Sequence, residues 1–97
     1  MATYVLLAAF TEQGIHNVKD SVKRSEAFKK AAKQAGASVK ELLWIQGPYD
    51  LVTIIEAPDD ATVSALALNV AKLGNIRGQT LRAFTAAEME KILEKVA

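Results

Sequence analysis

From Thr3 to Phe10, apolar side chains fill both alternating sets of positions: Tyr4, Leu6, Ala8 and Phe10 on one, Val5, Leu7 and Ala9 on the other. A strand apolar on both faces belongs in the middle of a sheet that is covered on both sides. Thr11-Glu12-Gln13-Gly14 ends it. A helix is predicted next, starting near Asn17 to Asp20 and ending near Gly36. Val18, Val22, Ser25, Phe28, Ala32 and Ala35 share one side at helical spacing, with Lys19, Lys23, Glu26, Lys30 and Lys33 on the other. Two strand-length runs follow, Val39 to Gln46 and Leu51 to Ala57. Between them Gly47-Pro48-Tyr49-Asp50 is turn chemistry, so the pair reads as a hairpin.

Ala57-Pro58-Asp59-Asp60 opens a second helix, since aspartate caps a helix N-terminus and its charge suits the dipole there. Gly74 closes it. This helix is apolar most of the way round (Ala61, Val63, Ala65, Leu66, Ala67, Leu68, Val70, Ala71, Leu73), the pattern of a helix buried on more than one side. Strand four runs from about Ile76 to Phe84. Thr85 and Glu88 then form a capping box at the start of a last helix, with Phe84 placed to staple onto Met89 and a stripe of Met89, Ile92, Leu93 and Val96.

The order is β-α-β-β-α-β with an added C-terminal helix: an α+β, ferredoxin-like antiparallel sheet in one domain spanning residues 1–97. Right-handed crossovers put both main helices on one face, strands one and three in the centre, and strands two and four at the edges. Lys40, Glu41, Arg77, Gln79 and Arg82 fall on those edges, where charge discourages edge-to-edge pairing. Strands one and three are apolar on both faces, yet both helices cover only one. The expected partner for the other face is the C-terminal helix or a second copy of the sheet, and a sheet-to-sheet homodimer or higher homo-oligomer is the expectation here.

Composition narrows the function classes. The chain has 97 residues, 51% hydrophobic and 24% charged, with net charge +1 and no cysteine. That is globular composition, with no disulfide framework, thiol nucleophile or cysteine metal site. The near-zero charge gives no field for nucleic acid or an anionic membrane, and the lysine-rich helix face lacks interleaved aromatics. Met1-Ala2-Thr3-Tyr4 lacks the features of a signal peptide, and no apolar run reaches the roughly 20 residues of a membrane span. The expected location is the cytoplasm.

Candidate chemistry is scattered. Tyr49 and Asp50 offer a hydroxyl and a carboxylate at one corner, to contact a ligand or take a proton; the alternative is a turn held by Asp50 with Tyr49 capping the core edge. His16, the one histidine, suits proton transfer near neutral pH. With Asp20 alone it has too few ligands for a metal, and an exposed loop residue is the alternative. Trp44 lines an aromatic pocket or packs at a subunit boundary. Arg77 and Arg82 have opposite strand parity, so one could hold a carboxylate but the two make no simple clamp. The ligand-binding candidates are therefore His16, Trp44, Tyr49, Asp50, Arg77 and Arg82. No residue is assigned a catalytic role, no metal site is expected, and no cofactor is indicated.

Thr11-Glu12-Gln13-Gly14, Gly47-Pro48-Tyr49-Asp50-Leu51-Val52, Glu56-Ala57-Pro58-Asp59-Asp60, Gly74-Asn75-Ile76-Arg77 and Thr80-Leu81-Arg82-Ala83-Phe84 together resemble the GYD-domain family, in order and over nearly the whole chain. The resemblance implies a dimeric α+β barrel. Relatives of that wider fold include small monooxygenases, isomerases, haem-binding proteins and ligand-sensing domains. Pro48 stiffens the corner, and Gly78-Gln79 stands where a threonine and an acidic residue are common, so a mechanism needing a carboxylate at Gln79 does not carry over. The functional expectation is a homo-oligomeric small-molecule-binding, sensor-like domain. The alternatives are a small cofactor-light enzyme and a structural or assembly protein.

Overall fold

The computed structural model describes residues 1–97. Its elements are β1 (Ala2–Phe10), α1 (Glu12–His16), a 3-10 turn (Val18–Asp20), α2 (Ser21–Gln34), β2 (Ser38–Trp44), β3 (Leu51–Ala57), α3 (Asp60–Ala71), β4 (Ile76–Ala83) and α4 (Ala86–Leu93). The four strands form one antiparallel sheet in the order β2-β3-β1-β4. The central and edge strands are those that right-handed crossovers in the βαββαβ order predict.

The first helical segment is more broken than the periodicity suggests. Thr11 caps the one-turn α1, its hydroxyl accepting from the Gly14 amide at 3.0 Å. The 3-10 turn then re-aims the chain, so that α2 presents Ser21, Ser25 and Ala32 inward while Val22 is 61% exposed. Small polar residues thus occupy part of the face that a helical wheel gives to valine.

Register separates the two sheet faces. Tyr4 lies opposite Ile55 and Arg82, and Ala8 opposite Leu51 and Gly78; this face lies under α2 and α3. Its core is Tyr4, Ala32, Ala37, Ile55, Ala57, Val63 and Leu66, flanked by Ala2, Leu6, Phe28 and Val39. Ile55 and Val63 are fully buried, each contributing about 1.5–3 kcal/mol by leaving water. These residues cluster at the start of β1 and the end of β3. Toward the other end of β1 the core cluster does not extend, and Ala8 lies beside Gly78 on this face.

The opposite face carries Val5 and Leu7 of β1, Val52 and Ile54 of β3, Leu43 of β2 and Leu81 of β4, paired Val5 with Ile54 and Leu81, and Leu7 with Val52 and Gln79. No element covers it. The thinnest dimension, 19 Å, is that of one helix layer on one sheet. α4, which could have folded across it, has no buried residue. The accessible surface is 6678 Å², against roughly 5400 Å² for a compact monomer of this mass. The radius of gyration, 14.5 Å, likewise exceeds the about 12.5 Å of a compact chain this long. No helix is long and apolar enough to cross a membrane.

Candidate functional site

Three of the turn segments converge at the end of β1. In the β2–β3 connection, Gly47 has φ +120°, a conformation that side chains other than glycine rarely adopt. The Asp50 amide donates to the Ala8 carbonyl at 2.8 Å, and the Asp50 carboxylate accepts from the Phe10 amide at 2.8 Å. Asp50 therefore ends β1 by occupying the hydrogen-bonding groups that another strand residue would take. The loop after α3 is locked from the other side. Thr11 donates through its amide to the Asn75 carbonyl and through its hydroxyl to the Gly74 carbonyl, while Gln13 Nε2 donates to the Leu73 carbonyl at 2.9 Å. Gly14 packs so closely that a Cβ there would lie 1.9 Å from the Asn75 oxygen.

The candidate residues do not meet in one pocket. Tyr49 reaches from the β2–β3 connection to β4, its hydroxyl 3.2 Å from Gln79 Oε1. Gln79 pairs with Leu7, so Tyr49 arrives on the open face of the sheet. Arg77, opposite Ala9, shares that face. Trp44 lies on the helix-covered face opposite Leu51, and its Nε1 donates to the Ser21 hydroxyl at 2.8 Å. His16 is exposed in the last turn of α1. Arg82 is held at the far end of β1, its guanidinium 4.6 Å from the Phe84 ring centre, 5.6 Å from that of Tyr4, and 3.4 Å from Glu88.

Three groups have displaced pKa values, each for a structural reason. The Tyr4 hydroxyl donates to the Asp60 carboxylate, and that bond, with burial and the Asp60 charge, raises its pKa. Hydrogen bonds from Thr62 hold the Asp59 cap below the usual carboxylate range. The Thr85 amide does the same for Glu88 in the capping box, which is fully formed. No group of three or more His, Cys, Asp or Glu side chains is placed to hold a metal ion.

A cavity of about 690 Å³ lies between the helix layer and the sheet. Leu6, Ala8, Phe10, Leu51 and Gly78 contribute from the strands, Ser21, Ser25, Phe28 and Ala31 from α2, and Leu66, Ala67 and Val70 from α3. None of the six candidate residues lines it. One charged side chain does, Arg24 of α2. Its Nη1 donates to the Asn17 carbonyl at 2.9 Å, and its Nη2 is buried without a hydrogen-bond partner. The sequence alone does not single out Arg24, which stands among lysines that point to water. The available signal was the run of small residues at inward positions, Ser21 and Ser25 on α2 and Ala67 and Ala71 on α3, which cannot fill the space between two layers.

Comparison with known proteins places these features in a family. A model of the GYD domain matches residues 4–93. A relative from Thermus thermophilus, named "Glutamine synthetase and cystathionine beta-lyase binding protein", is 31% identical over 90 residues, covering 92% of this chain and 95% of the relative. The crystal structure of TTHA0845 from the same organism is similar with a TM-score of 0.57 at 25% identity, over 89% of this chain and 96% of that one.

Proposed function

This chain belongs to the GYD domain family, and from that premise we propose that it is a binding domain that works by protein association: two copies pair through their open sheet faces, and the pair docks onto a metabolic enzyme. The observation that carries this reading is the uncovered sheet face. Leu43, Leu81 and Ile54 there are 52%, 42% and 37% exposed, and they adjoin Val5, Leu7 and Val52 in one apolar patch. Soluble monomers rarely leave so contiguous a surface in water. The excess of about 1300 Å² over a compact monomer is larger than the about 800 Å² per partner of a standard interface. Tyr49 and Arg77 border the patch, and both residue types are enriched at interface centres.

The relative's name supplies the class of further partner, an enzyme such as glutamine synthetase or cystathionine β-lyase. A catalytic reading has less support. Asp50 is committed to the Phe10 amide, and the displaced pKa values belong to helix caps and a core tyrosine.

Sedimentation at micromolar concentration tests the pairing, with purified glutamine synthetase and cystathionine β-lyase from the same source titrated against the protein. A species of about twice 10.5 kDa and saturable binding to either enzyme are expected. Ile54→Lys with Leu43→Lys, both at exposed positions, should give a folded monomer. A stable wild-type monomer overturns the pairing, and no binding to either enzyme overturns the partner class.

A further inference from the structure

We propose that the cleft between the helix layer and the sheet binds a small molecule with an apolar body and a single carboxylate head, and that Arg24 holds the head. The cleft lies on the opposite side of the sheet from the open face, so this site stands or falls independently of the association described above.

Size and lining come first. A volume of about 690 Å³ sits within the roughly 300–1000 Å³ of small-molecule sites, which are mostly apolar with a few placed polar groups. Small residues leave the space open. Ala8 pairs with Gly78 across β1 and β4, so the floor is low between Leu6 and Phe10. Ala31 on α2 and Ala67 on α3 keep the walls thin. Phe28, Leu6, Leu66 and Val70 make them apolar.

The head-group argument rests on Arg24. A guanidinium is always charged and presents five N–H donors. Asn17 takes one of them. Nη2 is unpaired but closed off beneath the surface, so a head group in the cleft meets it by a turn of the guanidinium, and none of the chain's ion pairs involves Arg24. An unpaired charged donor beside an apolar cavity is costly unless something accepts from it. A carboxylate supplies both the countercharge and the acceptor oxygens. Ser21 lies one helical turn before Arg24 and also lines the cleft. Its oxygen already accepts from Trp44 Nε1, which leaves its own O–H free to donate to the same head group. One guanidinium edge and one hydroxyl suit a monocarboxylate. The apolar remainder of the cleft suits an alkyl chain or an aromatic ring.

Trp44 is the only tryptophan in the chain, and its bond to Ser21 makes its fluorescence a reporter of the cleft wall. Dodecanoate and indole-3-acetate are titrated against the full chain by calorimetry, with Trp44 emission followed for dodecanoate, and dodecanol serves as the neutral control. All three are kept below any micelle concentration. At least one acid is expected to bind saturably, which distinguishes an alkyl from an aromatic body. For dodecanoate, the alcohol should bind tenfold or more weakly. Arg24→Gln should weaken the acid by about 10-fold or more and leave the alcohol unchanged. Arg24→Lys should restore part of the loss. Ala67→Phe, a second variant at a cleft wall rather than at the charge, should abolish binding of acid and alcohol alike. The Ile54→Lys, Leu43→Lys double variant should bind as wild type does.

No saturable binding of either acid overturns the proposal. So does equal affinity for acid and alcohol, or an acid affinity that survives Arg24→Gln or Ala67→Phe.

Discussion

Asp50 shows how a residue suited to chemistry can be claimed by the backbone. Its carboxylate accepts the Phe10 amide that would otherwise end β1 unpaired, and its own amide closes on Ala8. Truncation to alanine leaves a partly buried N–H without an acceptor, a loss of about 1–3 kcal/mol. Urea unfolding should show that loss for Asp50→Ala and much less for Asp50→Asn, whose amide oxygen can still accept. A role in proton transfer would instead make the asparagine variant as impaired as the alanine one. Arg24 is the converse case. Nothing within the chain claims Nη2, and that distinguishes it from Arg82, which is bracketed by Tyr4, Phe84 and Glu88.

Among the elements, α4 depends most on its own sequence. Its capping box is complete, yet no residue of the helix is buried and Met89 and Leu93 remain 44% and 53% exposed. A helix that packs on little opens on its own, without the rest of the domain. Thr85→Ala should therefore speed amide exchange in residues 89–93 by roughly fivefold, the equivalent of about 1 kcal/mol for a lost threonine cap, while leaving exchange in the core of β1 and β3 unchanged. Acid should act the same way. Asp59 and Glu88 have folded-state pKa values below their ordinary 3.8 and 4.5, so the unfolded segments take up protons first. The stability these caps add is present above about pH 4.5 and is lost as pH falls through the lowered values. Far-UV circular dichroism between pH 5 and pH 2 should show helix lost early, and Thr85→Ala should remove the α4 part of that change.

At the scale of the whole molecule, two surfaces lie on either side of one sheet. The open face is apolar and flat, and the proposed pairing would give β1 and β3 the second covering layer their composition asks for. Lysines at Ile54 and Leu43 should cost little in the isolated chain, because both positions already meet water, and should abolish any self-association seen by sedimentation. The covered face is packed at one end and hollow at the other. Strand order, the hairpin, the caps at Asp59 and Thr85, and the surplus of apolar strand faces are legible in the sequence, because these follow from local periodicity, turn chemistry and handedness. Its boundaries failed where local preference met tertiary demand: the segment after β1 breaks into α1 and a 3-10 turn so that Thr11 and Gly14 can lock onto Gly74 and Asn75. The cleft and its arginine were decided only by the tertiary structure. A cavity is the space left between layers, fixed by side chains far apart in sequence such as Ala8, Gly78, Ala31 and Ala67, and no pattern along a single element records the distance between two of them.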